Sequence, residues 1–415
     1  KRLEREFHLM LKSNKQYLDH ESVSTQSSSS SSFSYDSSRT SIVTDCEEDH
    51  NGSMINKDSN HHSEDELKNS KIVMDDLKLI ADGMINAGYT KECITIYKAV
   101  RRSTVQAALN RLGINFRSES SSPTSFHKME WKNLDTRMKK WKTAAKVAVK
   151  MIFRGEKILV DHVFSSTSDT IRENCFSEIA TDSALALFSE PEHMAKSTKK
   201  SPEKIFRFLD TYDVIKDLGP EIQSIFKFKS TSSVTSQAET TLNKIADSIK
   251  TMLTEFESAI QKDSSKTLMP GGGIHPLTRY VMNYLCFLSQ YSDSLTDIMA
   301  SDSTTSPSSP TLPEKYFDSP TTNGPKSKLS EKFAWLILIL LCKLDRKAEL
   351  YGDVSLCYLF LSNNLKYVVS KVQSSSIQFV VGDTWVTKHE DVVRKYAANY
   401  EKMGWGKVIG ILQND

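Results

Sequence analysis

The sequence predicts an all-α protein, and three observations lead to that class. The 415 residues include only 15 glycines and 11 prolines, whereas the helix-favouring residues Leu, Ala, Lys and Glu are frequent. Apolar residues recur at spacings of three and four, which is the period of a helix that packs on one side. No segment alternates apolar and polar residues over the length of a half-buried strand.

Cysteine usage and hydropathy limit the classes of function. The six cysteines form no CxxC pair and no Cys/His cluster at ligand spacing, so the sequence predicts no zinc site and no cofactor. We interpret them as free thiols in the reducing cytoplasm, since no signal peptide pattern stands at the start. The longest apolar run, residues 333–342, is far shorter than the roughly 20 residues that cross a bilayer.

Charge is distributed unevenly along the chain. Residues 1–70 carry eight Lys and Arg against thirteen Asp and Glu, whereas residues 126–160 carry ten against three. The second segment has the strongest local charge in the chain.

Composition also predicts the domain organisation. Residues 1–21 have helical spacing and are expected to be the remnant of a coiled-coil helix. Residues 22–70, rich in Ser and then acidic, are expected to be a disordered linker, because they cannot repay their ordering entropy by burial. Residues 71–270 should form the first helical bundles, and 271–415 an incomplete further bundle with a disordered loop at 301–328.

Helix ends follow from glycine and capping residues. A helix that begins near Lys71 should end at Gly88, the usual residue just past a helix. A second helix should begin at Thr90, and Ser103 has capping-box spacing for the start of a third, which Gly113 ends. Later in the chain, Pro220 is expected to open a new helix, and Gly382 to separate two others.

Residues 128–164 form the clearest amphipathic pattern. Trp131, Leu134, Met138 and Trp141 begin an apolar face, and the opposite face is basic. We expect that basic face to be either a solvated helix surface, which is the commoner case, or a contact for an anionic membrane or partner. Its residues are Lys139, Lys142, Lys146, Lys150, Arg154 and Lys157.

Two further groups of residues have alternative interpretations. Gly271, Gly272 and Gly273 suggest a phosphate-binding loop, but they lack the GK[ST] ending and a preceding strand, so a flexible connection is expected. His275, Arg279 and Asn283 are spaced by four and could coordinate a phosphate or an acidic partner, although interhelical hydrogen bonds are favoured. No catalytic motif is present, so we expect no enzymatic activity.

Five sequence blocks carry a resemblance to a known family, in which similar blocks occur in the same order along the chain. They are GGGIHPLTRYVMNYLCFLSQY (271–291), AGYTKECITIYKAVRR (87–102), SPEKIFRFLDTYDVIKDLGPEI (201–222), FLSNNLKYVVSKV (360–372) and GDTWVTKHEDVVRKYAANYEKMGWGKV (382–408). The sequence resembles the Exo70 subunits of the exocyst, specifically their plant branch, over about residues 71–415. The family-motif segment contributes His275, Pro276, Leu277, Arg279, Tyr280, Asn283 and Tyr284.

The resemblance implies an elongated rod of stacked antiparallel helical bundles, as in tethering complexes. It implies a subunit that helps tether secretory vesicles to the plasma membrane before fusion, with other exocyst subunits and anionic phosphoinositide membranes as partners. A cytoplasmic protein recruited peripherally to the plasma membrane or to vesicles is therefore expected. The chain is expected to be truncated at both ends, without the bundle that carries the family's lipid-binding patch, so no lipid-binding residue is transferred from the family.

An alternative function belongs to another class. The chain could serve as a plant interaction platform in immunity or autophagy, uncoupled from secretion, with partners that bind through residues 22–68. The Ser-Pro steps at 306, 309 and 319 are candidate phosphorylation sites in the predicted loop. No nucleic-acid partner is expected, since the basic face lacks interleaved aromatic residues.

Overall fold

The computed structural model describes residues 1–14, 18, 60–114, 130–300 and 328–412, with side chains from residue 69 onward in the second range. All regular elements in these ranges are helices, which confirms the predicted all-α class. The predicted linker up to residue 59 and almost all of the predicted loop at 301–328 lie outside the described residues. The predicted domain boundaries remain predictions.

Fourteen α-helices lie in the described ranges, and short 3-10 or π segments separate some of them. The first seven are α1 (Arg2–Ser13), α2 (Asn60–Asn86), α3 (Thr90–Arg111), α4 (Trp131–Val147), α5 (Arg154–Val163), α6 (Asp169–Ser197) and α7 (Ile205–Ile225). The others are α8 (Ser232–Lys262), α9 (Pro276–Leu288), α10 (Ser292–Ala300), α11 (Lys328–Ala348), α12 (Val354–Gln373), α13 (Ile377–Val381) and α14 (Asp383–Leu412).

The helix ends agree with the glycine signals more than with the capping signals. Gly88, Gly113 and Gly382 all have φ between 85° and 89°, a conformation that glycine adopts without a Cβ clash, and each follows a helix as predicted. The predicted helix start at Ser103 is wrong, because α3 continues through it to Arg111. Continuous burial from Tyr97 to Leu109 on one face outweighs the local capping pattern.

Two other predicted helix starts are also corrected. Helix α2 begins at Asn60, earlier than Lys71. Pro220 lies inside α7 and does not open a new helix. A proline inside a helix removes one backbone hydrogen bond, but Leu218, Ile222 and Ile225 on either side are all buried, and their packing keeps the helix continuous.

The described chain divides into two compact units. The first comprises Lys1–Thr198 and Val214–Asn243, and the second comprises Lys199–Asp213 and Lys244–Asp415. Each unit buries its own set of apolar helix faces and so has a core of its own.

Aromatic side chains form much of the core of the first unit. Phe7 of α1 stacks on Tyr97 of α3 with ring centroids 6.4 Å apart, and Tyr97 meets the edge of Phe164 at 5.0 Å. Phe226 contacts Phe153 and Phe176, with centroids 5.5 and 5.6 Å away. All six rings are at most 1% exposed, so they bring α1, α3 and the residues around α5 and α6 to a common core.

A buried ion pair lies within that core. The Arg101 guanidinium donates to Glu156 Oε2 from Nε at 3.0 Å and from Nη2 at 2.7 Å, and both side chains are at most 1% exposed. The Tyr97 hydroxyl donates to Glu156 Oε1 at 3.4 Å, and Arg101 also reaches the Leu18 carbonyl at 3.5 Å. Burial, followed by the Glu156 carboxylate, raises the pKa of Tyr97 well above its ordinary value. The pair joins α3 and α5, and Arg101 connects both to Leu18.

In the second unit, the core extends from α8 and α9 to α11 and α12. Tyr284 of α9 stacks on Phe256 of α8 with centroids 3.8 Å apart. Glu257, the next residue of α8, accepts from Trp335 Nε1 at 2.8 Å and pairs with Lys332. These hydrogen bonds lower the pKa of Glu257 in spite of the opposing effect of burial. Polar contacts therefore accompany apolar packing between α8 and α11.

The buried ion pair generates a prediction about stability. Arg101→Met should lower the free energy of unfolding by about 3–5 kcal/mol, because it leaves the Glu156 carboxylate buried without its partner. Chemical denaturation followed by circular dichroism measures the change. The double variant Arg101→Met/Glu156→Leu should recover most of the loss, since no buried charge remains.

A neighbouring residue provides the matched control. Arg102 pairs with Asp182, and the two side chains are 47% and 72% exposed. Arg102→Ala should therefore change the free energy of unfolding by less than about 1 kcal/mol. Equal losses for Arg101→Met and Arg102→Ala would contradict a structural role for the buried pair.

Candidate interaction sites

The predicted basic face follows α4, a π segment at Ala148–Phe153, and α5 in the first unit. Lys139, Lys146 and Lys150 are exposed, Lys142 is half-buried, and the apolar residues Leu134, Met138 and Trp141 are buried on the other side. The first part of the face is therefore arranged as the periodicity predicted.

Acidic neighbours neutralise part of the basic charge. Lys139 pairs with Asp135 at 2.9 Å, Arg154 pairs with Glu221 at 3.1 Å, and Lys157 pairs with Asp161. Only Asp135 and Asp161 lie on the same helices as their partners, at a spacing of four residues. Glu221 comes from α7, so no pattern around residue 154 signals that contact.

The π segment changes the direction of the last residue in the face. In a straight α-helix, Lys157 would lie on the same side as Lys139. A π turn closes its hydrogen bonds over one more residue than an α turn, so the following residues are rotated. The Lys157 side chain is only 12% exposed, and its ammonium lies 4.7 Å from the ring centroid of Phe228. Lys157 thus contributes to packing within the unit.

The glycine loop of the second unit is docked on α12. Asn363 Nδ2 donates to the Gly272 carbonyl at 2.9 Å, and Asn364 Nδ2 donates to the Gly273 carbonyl at 3.2 Å. Asn364 Oδ1 accepts from the His275 amide at 2.9 Å and from Thr278 Oγ1 at 2.7 Å. The expected flexible connection is therefore corrected: this loop is fixed by hydrogen bonds, and its amides do not form an open phosphate cradle.

The close approach of the loop to α12 explains why residue 272 is a glycine. Gly272 is buried with φ at 65°, and a Cβ there would lie 3.0 Å from the Phe360 backbone nitrogen and 3.2 Å from Leu359 Cγ. A side chain would push the loop away from α12. Sequence reasoning missed Asn363 and Asn364 as partners of the loop, although the block that contains them was one of the five carrying the family resemblance.

The structure does not gather His275, Arg279 and Asn283 into one site. His275 is 3% exposed and lies at the N-terminus of α9, whereas Arg279 and Asn283 are exposed. Of the other residues in the family-motif segment, Pro276 is exposed, Leu277 is half-buried, and the two tyrosines donate hydrogen bonds to the segment before α7. Tyr284 donates to the Pro202 carbonyl at 3.0 Å, and Tyr280 donates to Glu203 at 3.3 Å.

A small cavity of about 260 Å³ lies beside α4 in the first unit. Trp141 and Ala144 line it, together with Arg137, which contacts Glu190 of α6 at 2.6 Å. Burial raises the pKa of Glu190, and the Arg137 charge opposes that rise. No sequence pattern signals this cavity, because Arg137 and Glu190, which form part of its polar side, are 53 positions apart.

The described ranges provide no cluster of three or more metal-binding side chains. Within the same ranges, none of the helices has both the length and the apolarity required to span a bilayer.

The fold can be placed among solved structures. The crystal structure of the Saccharomyces cerevisiae exocyst component Exo70p aligns with a TM-score of 0.61 at 15% identity, over 83% of this chain and 73% of that chain. A second structure of yeast Exo70, with additional residues, aligns with a TM-score of 0.58 over 85% of this chain and 71% of that chain, also at 15% identity. At this identity, the likeness establishes a shared helical fold.

Sequence comparison identifies the family. The profile for the C-terminal part of the Exo70 exocyst complex subunit matches residues 139–415. Exocyst complex component EXO70B1 of Arabidopsis thaliana is 32% identical over 82% of this chain and 51% of its own length, and EXO70B2 of the same plant is 30% identical over 83% and 54%. The chain belongs to the Exo70 family of exocyst subunits, and it spans about half the length of these curated relatives.

The glycine loop generates the second prediction. Gly272→Ala should lower the free energy of unfolding by about 1–3 kcal/mol, because it combines a positive φ with a contact that the Phe360 backbone cannot relieve. Gly271→Ala is the matched control: its φ is 59°, and its Cβ would meet nothing within 4 Å. That variant should cost only about 1 kcal/mol. Thermal and urea denaturation measure both, and a larger loss for Gly271→Ala would contradict the docking of the loop.

Proposed function

We propose that this chain acts as a non-catalytic exocyst subunit that helps tether secretory vesicles to the plasma membrane before fusion. The observation that carries the proposal is the family match over residues 139–415. The described helices pack into two units, and the exposed faces of these helices suit contacts with other large subunits. Peripheral recruitment from the cytoplasm to the membrane belongs to the same proposal.

Co-purification tests the tethering role. A tagged chain expressed in plant cells should precipitate other exocyst subunits, which mass spectrometry identifies. A version that lacks residues 22–59 should precipitate the same subunits, because helix α2 begins at Asn60 and stays intact. Precipitates with immune or autophagy proteins and without exocyst subunits would contradict the proposal and favour the interaction-platform alternative.

The basic face on α4 is proposed as a contact for an anionic membrane. Exposure of Lys139, Lys146 and Lys150 supports this role, and Lys139 keeps that exposure while it pairs with Asp135. Arg154 and Lys157 are less exposed and also ion-paired, so they lie at the edge of the face. Each basic residue near an anionic surface contributes about 1 kcal/mol to binding. The contribution of a few lysines is therefore large enough to measure.

Liposome flotation tests the membrane contact. Lys142→Glu/Lys146→Glu/Lys150→Glu should weaken binding to phosphoinositide-containing vesicles by roughly a hundredfold or more, since three favourable charges are reversed. The charge-matched control Lys366→Glu/Lys395→Glu/Lys402→Glu changes exposed lysines of α12 and α14. Equal weakening by the two triple variants would show that net charge, and not this face, governs binding.

A further inference from the structure

His275 has an unusual position at the start of α9. It is the N-cap residue, its φ and ψ are −69° and 144°, and its Nδ1 accepts a hydrogen bond from the Leu277 amide at 3.1 Å. Histidine is not among the common N-cap residues, which are Ser, Thr, Asp and Asn. Here a titratable ring performs the capping function, and the residue is only 3% exposed.

The hydrogen bond at Nδ1 determines the tautomer of the ring. An imidazole nitrogen that accepts a hydrogen bond carries no proton, so in the neutral ring the proton is on Nε2. Nε2 is buried and has no hydrogen-bond partner. A buried donor without a partner costs about 1–3 kcal/mol. The cap and the packing around the ring must offset this cost and hold the ring in place.

The neighbours of the ring disfavour a positive charge. Phe360 of α12 presents its ring at 6.4 Å, nearly perpendicular to the imidazole. The charged groups that act on the ring are Lys347 of α11 and Asp263, which follows α8, and these two form an ion pair at 2.7 Å. Burial lowers the pKa of His275 most, the Lys347 ammonium lowers it further, and the Asp263 carboxylate opposes both.

The same residue connects the glycine loop to its support. The His275 backbone amide donates to Asn364 Oδ1, and that oxygen also accepts from Thr278 Oγ1. At the other end of the loop, the Tyr351 hydroxyl lies 2.9 Å from both the amide nitrogen and the carbonyl oxygen of Met269. His275 thus links the cap of α9, through its ring, to the hydrogen bonds that fix the loop on α12, through its backbone amide.

We propose that His275 is a pH-sensitive clasp: its neutral ring caps α9 and keeps residues 269–275 docked on α12, and protonation at Nδ1 opens the loop. The added proton occupies the nitrogen that accepts from the Leu277 amide, so two donors would face each other. It also places a positive charge in a buried position near the Lys347 ammonium. Opening lets water solvate the ring and uncovers the part of α12 around Phe360 and Asn364.

The direction of the pH dependence follows from linkage. The docked ring has a lowered pKa, so as pH falls through the ordinary histidine value of about 6.5 the open form binds a proton while the docked form does not. Docking is therefore fully stable above that pH and weakens below it. One proton changes the opening equilibrium by at most about tenfold per pH unit.

Hydrogen exchange of the full chain tests the clasp. After correction for the intrinsic effect of pH on exchange, amides of residues 271–277 should exchange up to about fivefold faster at pH 5.5 than at pH 6.5, because half of the open form is already protonated at about pH 6.5. His275→Asn supplies a good N-cap that does not titrate in this range, so it should remove this pH dependence. His193→Gln, in the first unit, is the control and should retain it.

Two results would overturn the proposal. One is failure of the exchange test: the pH dependence of exchange at residues 271–277 is absent in the wild type, or it is the same in His275→Asn as in the wild type. The other comes from NMR titration of labelled histidine in the unmodified chain, which stays informative if His275→Asn fails to fold. His275 should titrate below the ordinary histidine range, and titration at or above it would exclude the clasp.

Discussion

Polar groups that enter the core of a helical protein must find partners on neighbouring helices, and the Arg101–Glu156 ion pair shows how strongly that constraint acts here. Both side chains are almost completely buried, and the carboxylate is held by α3 from two positions, Tyr97 and Arg101. An isolated buried charge would be costly, so α3 and α5 cannot slide past each other without losing the pair. The contact with the Leu18 carbonyl extends the same restraint to the segment after α1.

In the second unit, neutral groups meet the constraint beside ion pairs such as that of Lys347 and Asp263. Asn364 is fully buried, and it uses both its oxygen and its nitrogen on the glycine loop and on the Phe360 carbonyl. An amide can satisfy donors and acceptors at once, which suits a loop whose backbone presents both. The unpartnered Nε2 of His275 departs from this pattern, and it lies next to the place where the loop meets α9.

The Arg101–Glu156 cluster and the Asn364 cluster explain why the family resemblance predicted more about this protein than the roles inferred for single residues. The quoted blocks were sufficient to predict the family, and comparison confirmed it. Two of their buried residues serve packing: Tyr284 stacks on Phe256, and His275 caps a helix. Residues within the blocks that carry the family resemblance can therefore maintain the packing of the fold without contacting a partner themselves.

The sequence by itself determined the helical class, the glycine-terminated helix ends and the first part of the basic face, because these depend on local spacing and on backbone freedom at Gly88, Gly113 and Gly382. Tertiary structure decided the rest. Tertiary packing keeps α3 continuous through Ser103 and α7 continuous through Pro220. A π segment turns Lys157 toward Phe228, and hydrogen bonds fix the glycine loop on α12. In each case the energy comes from residues far apart in the chain, whose proximity no local pattern encodes.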